Sequence, residues 1–183
     1  MDFTEQVRQS YNLLHKANQQ MTQIWLQHVL FTWRWWLGVF LTIAPWVLWW
    51  SVRTKDSSSR LLYVMFLVII MTSWLDFVGS GSFGLWHYSY EVLPFIPAYI
   101  PWDVSMIPVL VALFIQYKPH FNPLIKGIVF SGIFAYIGEP LFEWMKMYDP
   151  EQWKPHYSFL IMLAMYLIAH YVGKSKKFRE ISR

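Results

Sequence analysis

Three acidic residues sit where apolar sequence makes them costly. Asp76 closes one hydrophobic run, Glu139 lies well inside another, and Glu143 follows a helical turn later. An ionisable group within a membrane span costs about 2.5–3.5 kcal/mol on insertion scales, so each of them needs a physical reason. The i, i+4 spacing puts Glu139 and Glu143 on one helix face, able to point into one cavity. Pro140 lacks the N–H that the carbonyl of Tyr136 would otherwise meet, which adds an exposed acceptor beside the acids. Clustered, desolvated carboxyls supply a proton donor beside a base, the chemistry of general acid–base catalysis. The same acids also suit a purely structural task. They accept hydrogen bonds from Trp and Tyr donors, of which the chain has many, and so pin helices together.

The stretch from Thr72 to Pro108 carries most of the remaining polar chemistry. It holds three glycines, three carboxylates (Asp76, Glu91, Asp103) and no lysine or arginine. Asp103 and Glu91 are expected near the mouth of an acidic cavity built on Asp76, Glu139 and Glu143. Trp86, His87, Tyr88, Trp102, Asp103 and, further on, Tyr157 are the candidate ligand-binding side chains. The run Gly79-Ser80-Gly81-Ser82-Phe83-Gly84 is followed by Leu-Trp-His-Tyr, not by the Lys-Ser or Lys-Thr of a phosphate-binding loop. Ser82 has a glycine two residues after it and a serine two before it, so it is no nucleophile elbow. The glycines read instead as a fold-back device over the helix ends. Pro94, Pro97 and Pro101 favour an extended return, and Trp86, Tyr88, Tyr90, Phe95, Tyr99 and Trp102 form either a lid or an interfacial belt. His87 and His156 with Asp76 and Glu139 are chemically able to hold a metal, but no ligand spacing supports it. No metal and no cofactor are expected.

The elements that position these residues are read from hydropathy. The chain has 183 residues, 56% hydrophobic, 20% aromatic and 14% charged. Soluble domains carry about 25% charged residues, so lipid is the expected solvent. With no cysteine, disulfides, thiolate metal sites and cysteine nucleophiles are excluded. Net charge is +4, but the basic residues are scattered, which suits membrane orientation rather than nucleic-acid binding. Asp2 and Glu5 stand where a signal peptide would carry positive charge, so none is expected.

The fold class expected is an all-α polytopic membrane helix bundle of about five transmembrane helices plus an N-terminal amphipathic helix. Residues 1–33 form the amphipathic helix, 34–173 the bundle and 174–183 a basic tail. The spans run at about 35–52, 61–78, 103–117, 124–145 and 157–172. Trp33, Trp35 and Trp36 at one end of the first span, and Trp46, Trp49 and Trp50 at the other, suit interfacial indoles. His28, His120 and His170 read as interface residues. Phe3, Ser10, Ala17, Ile24 and Val7, Leu14, Met21, His28 recur every seven residues, a stripe for the membrane surface, the bundle, a second copy of the chain or a membrane-protein partner. With an inside C-terminus the inner segments carry ten basic residues and the outer segments five, which makes the tail cytoplasmic and the 79–102 loop extracellular.

Several runs carry a resemblance. They are Asp76…Gly79…Gly84-Leu85-Trp86-His87-Tyr88, Leu93-Pro94…Ile100-Pro101-Trp102-Asp103, Gly138-Glu139-Pro140-Leu141 and Trp153-Lys154…Tyr157-Ser158-Phe159. Over about residues 40–172 the chain resembles a family of small multi-spanning membrane proteins of endospore-forming Gram-positive bacteria. That implies a multi-pass protein of the cell membrane and brings no assigned site residues. A fainter likeness is to the membrane lycopene cyclase domain, with its Asp, glycines, Gly-x-Trp and aromatic turn. The adjacent glutamate pair of that family is replaced by Ile-Pro-Trp-Asp and Glu-Pro-Leu-Phe-Glu, so the likeness implies embedded carboxyls near an apolar isoprenoid rather than carotenoid cyclisation itself.

Three functions are consistent with these residues. The first is a lipid-binding, sensory or assembly module of the membrane. The second is an acid–base enzyme acting on a lipid or isoprenoid, and the third a small proton-coupled carrier.

Overall fold

The structure, a computed structural model, describes residues 2–94 and 98–174. Phe95, Pro97 and all of the basic tail but Lys174 lie outside the described residues. Six helices follow in order: α1 (Phe3–His28), α2 (Trp33–Val52), α3 (Lys55–Ser82), α4 (Pro101–Gln116), α5 (Pro123–Trp144) and α6 (Pro155–Gly173). The described chain is helical except for its connections and one short antiparallel pair. In it β1 (His87–Tyr88) meets β2 (Tyr148–Asp149), with Tyr88 opposite Tyr148.

Helices α2, α3, α5 and α6 are long and apolar enough to cross a membrane, and α4 is shorter. At 1.5 Å per residue α4 reaches about 24 Å against a hydrocarbon core of roughly 30 Å. Its position compensates. It touches each of the four long helices, and Ser105, Ile107, Val109, Val111 and Ala112 are buried. The shortest helix is thus the central one, surrounded by its neighbours.

That enclosure matters because α4 is irregular. Pro101–Met106 is a π-helical turn, and the N–H of Ile107 bonds the carbonyl of Trp102 rather than that of Asp103. Pro108 has no N–H for the carbonyl of Val104. Both stranded carbonyls are met from neighbouring helices. Thr72 Oγ1 stands 3.1 Å from Asp103 O and shares its one proton between that carbonyl and Val68 O at 3.0 Å, while Trp46 Nε1 donates to Val104 O at 3.0 Å. Buried carbonyls need a partner from within the protein, so α2 and α3 are tied to α4 by its own missing bonds.

The tryptophans of α2 divide accordingly. Trp33, Trp36 and Trp50 are exposed, as interfacial indoles should be. The other three turn inward, against the interfacial expectation. Trp35 donates to Val92 O, Trp46 to Val104 O, and Trp49 is fully buried. His170 also departs from the interfacial reading: it is buried beside Tyr166 and Tyr171, and neither ring nitrogen has a partner among the described residues. The α5–α6 contact is the most extensive between helices. On α5 Gly127 faces Leu163 and Tyr166 of α6, where a Cβ would stand 2.7 Å from Leu163 Cδ1, so only a small residue allows this approach.

Helix α3 does not stop near Val78, where its apolar run ends. It continues through a π-helical turn, Phe77–Ser82, and the fold-back comes at Gly84, whose φ is +59°. The N–H groups of Gly84 and Leu85 then return to the carbonyls of Ser80 and Gly79, closing the helix end as a left-handed glycine cap does. Gly79 meets a different demand. A Cβ there would stand 2.0 Å from Cη2 of Trp86, so only glycine lets that indole lie on the helix. Gly79→Ala should therefore destabilise the protein in detergent by about 1–3 kcal/mol through overpacking. An unchanged melting temperature would contradict this close approach.

Candidate functional site

The centre of one end of the bundle is the Asp76 carboxylate. Burial of an anion requires donors, and three converge on it from the loop that follows. Trp86 Nε1 and Tyr88 OH both donate to Oδ1 at 3.1 Å, and the backbone N–H of Tyr99 donates to Oδ2 at 3.0 Å. The Tyr99 N–H is shared, since it also reaches Asp103 Oδ2 at 2.9 Å. Asp76 and Asp103 thus present oxygens to one donor.

Glu139 completes the acidic set. It is buried, lines the same cavity as Asp76 and Asp103, and hydrogen-bonds the Ser158 hydroxyl, which itself accepts from Trp153 Nε1 at 2.7 Å. Each of these acids stands at a π-helical turn. Asp76 precedes Phe77–Ser82, Asp103 lies in Pro101–Met106, and Glu139 follows Phe134–Gly138. An inserted residue re-aims the side chains around it, and such turns recur at functional sites.

Aromatic rings wall the acids in. Tyr88 and Tyr99 stack at 4.3 Å with planes 11° apart, and Trp102 meets both edge-on. Trp86 packs on Trp153 at 4.8 Å. The β1–β2 pair and the bond from Gln152 N to Leu85 O clip this loop to the α5–α6 connection. Burial, then the charges of Asp76 and Asp103, push the Tyr88 phenol well above its usual range. Burial followed by Glu91 does the same to Tyr99, and burial followed by Glu139 to Tyr148. All three stay neutral, and the Tyr88 hydroxyl remains a donor.

The expected site residues divide into two sets. Asp76, Asp103, Glu139, Trp86, Tyr88 and Trp102 line one cavity. Glu143, His87 and Tyr157 are exposed and stand outside it. The i, i+4 argument placed Glu143 on the correct helix, but α5 ends at Trp144 and its last turn opens to the surface. Trp86 and Trp102 are buried against the acids instead of forming a lid towards headgroups. Among the described residues no three His, Asp or Glu side chains are grouped to hold a metal ion. Sequence reasoning missed Thr72, Tyr148, Trp153 and Ser158. Only the alternation of polar and aromatic residues around 148–158 hinted at Tyr148, Trp153 and Ser158.

The cavity around the acids measures about 30 Å³. A water needs about 10–15 Å³ by this measure, so it holds one or two waters and no acyl chain. A second cavity, of about 420 Å³, lies on the other side of Asp76 and Tyr88. Its walls are Leu14, Asn18 and Met21 of α1, Ser80 and Gly81 of α3, and Glu91 and Pro94 of the loop. Helix α1 has no buried residue, but it is anchored here by Trp25 Nε1 donating to Glu91 O at 2.8 Å. The other anchor of this corner is Arg34, which donates to Met145 O and Tyr90 OH at 2.8 and 3.0 Å.

Comparison with protein-family models, with curated proteins and with solved structures gives no match. The fold and the site therefore define a class on their own geometry: an all-helical protein with four membrane-length apolar helices and a carboxylate cage at one end.

Glu91 gives this end a pH dependence. Burial first, and Asp76 second, push its carboxyl from an ordinary 4.5 up to about 7. The folded state then binds the extra proton between those values, and ionisation opposes folding locally. The contact between α1 and the loop should weaken as pH rises from about 5 to about 8. Hydrogen exchange of the α1 amides across that range measures it. Protection should fall with pH in the natural protein and stay level in Glu91→Gln.

Proposed function

We propose that the chain is a multi-pass protein of the cell membrane that binds lipid or senses the membrane surface, without catalysing a reaction. The observation that carries this reading is the contrast between the two cavities that meet at Asp76. Where the acids converge there is room for water alone, and their oxygens already face indole, phenol, hydroxyl and backbone donors. Where the space is of ligand size, about 420 Å³, the walls are an amphipathic helix, a glycine-containing turn and a carboxylate. The carboxylate cage then fixes the loop, and the cavity beneath α1 receives a lipid headgroup.

The orientation proposed has α4 as a fifth, central crossing, so that the ends of the bundle lie on opposite sides. The excess of basic residues at the α2–α3, α4–α5 and C-terminal segments favours placing those inside. The carboxylate cage and α1 are then on the outer face. Because the chain has no cysteine, Ser82→Cys, at an exposed position, reports this directly. Labelling of intact cells by an impermeant maleimide is expected.

Native mass spectrometry of the purified protein tests the binding itself. A defined set of co-purifying lipids is expected, and Leu14→Trp, which fills the cavity from α1, should remove at least one lipid from that set while the melting temperature stays within a few degrees. Identical lipid adducts in both proteins would sink the proposal. The π-helical turns beside all three acids favour a second reading, acid–base chemistry on a lipid or isoprenoid. It requires the cage to open, and a folded Glu139→Gln variant that accumulates unconverted lipid substrate would establish it.

A further inference from the structure

The opposite end of the bundle carries a site independent of the acids. Between the last turn of α4 and the first turns of α5 lies a cavity of about 420 Å³. Leu113, Phe114, Phe121, Ile125 and Val129 give it apolar walls, and Lys118 and Lys126 are its charged groups. Lys126 is only 7% exposed. Its ammonium donates to Phe114 O, at 2.7 Å, and to Tyr117 O. These are carbonyls at the end of α4, where no further helical N–H reaches them.

Two of the three ammonium donors are thereby used, and the charge is not neutralised. Among the described residues no carboxylate lies within ion-pairing distance of Lys126, and the charged group acting on it is Lys174, another cation. The only described acid at this end is Asp56, in the turn between α2 and α3. A buried ammonium without a counter-anion is an unfavourable arrangement, because desolvation is incompletely offset by neutral dipoles. An anion entering the cavity would take the third donor and supply the missing charge.

The walls say which kind of anion. Phe121, Ile125 and Val129 are each about half exposed, and Ile125 and Val129 stand one turn apart on α5. They form an apolar track leading away from the ammonium along a membrane-length helix. A free inorganic anion would gain nothing from it, whereas an acyl chain would cover it. Basic recesses between membrane helices near the interface hold anionic headgroups in this way. We propose that this cavity binds an anionic phospholipid, with its phosphate on Lys126 and Lys118 and one acyl chain along Ile125 and Val129.

The test uses the full-length protein, delipidated and titrated with phosphatidylglycerol or phosphatidylcholine in mixed micelles, with bound lipid counted by native mass spectrometry. The natural protein should retain phosphatidylglycerol over phosphatidylcholine by about fivefold or more. Lys126→Met should abolish the preference and Lys126→Arg should keep most of it. Lys126 also caps α4, so Lys126→Met can fail to fold. Val129→Trp covers that case: it fills the cavity while keeping Lys126 and should abolish the preference equally. Equal retention of the two lipids by the natural protein would overturn the proposal, as would a preference unchanged in Val129→Trp. Full displacement by millimolar glycerol 3-phosphate would assign the site to a soluble phosphate and overturn the lipid.

Discussion

The Asp76 carboxylate accepts an indole N–H, a phenol O–H and a backbone N–H, all from a loop that has left the helix carrying it. Buried, this one carboxylate fixes where Trp86, Tyr88 and Tyr99 lie. Trp86 must lie across Gly79, Tyr88 must turn inward to stack on Tyr99, and Tyr99 must bring its amide between two acids. The loop in turn supplies the carbonyls of Glu91 and Val92 that receive Trp25 and Trp35. Helices α1 and α2 are thus held by the same arrangement that satisfies Asp76.

Satisfaction of backbone groups governs the middle of the bundle in the same manner. Helix α4 has a π-helical turn and a proline, and each leaves a carbonyl that the helix cannot use. Thr72 and Trp46 answer them. A short, irregular helix is tolerated because it is surrounded, and it is surrounded because its missing bonds select its neighbours. The two ends of the bundle then differ in electrostatic character. Acids gather at one end and are met by neutral donors. Cations gather at the other, and Lys126 is met by carbonyls alone.

Much of this was legible in the residues. Long apolar runs, interfacial indoles and scarce charge specify membrane-length helices, because hydropathy is a local property of sequence. The acids Asp76 and Glu139 stood out by the cost of their surroundings, and the glycine run was readable as a fold-back device once phosphate and nucleophile motifs failed on spacing. The sequence arguments went astray where side chains had two locally equivalent fates. Trp46 and Trp50 are both indoles near one helix end, yet one seeks a stranded carbonyl and the other faces outward. Glu139 and Glu143 share a helix face, yet only Glu139 lines the cavity beside Ser158 of α6, and Glu143 is exposed.

By itself the sequence determined the helical class, the absence of thiol chemistry and which acids had to be accounted for. These follow from composition and from energies of single residues in a low-dielectric medium. Tertiary structure alone decided that Asp103 joins Asp76, that the cavity between the acids admits only water, and that the ligand-sized space lies beneath α1. Those outcomes depend on how π-helical turns rotate side chains and on how closely helices pack. Both are set by contacts between residues far apart in the chain, which no local pattern records.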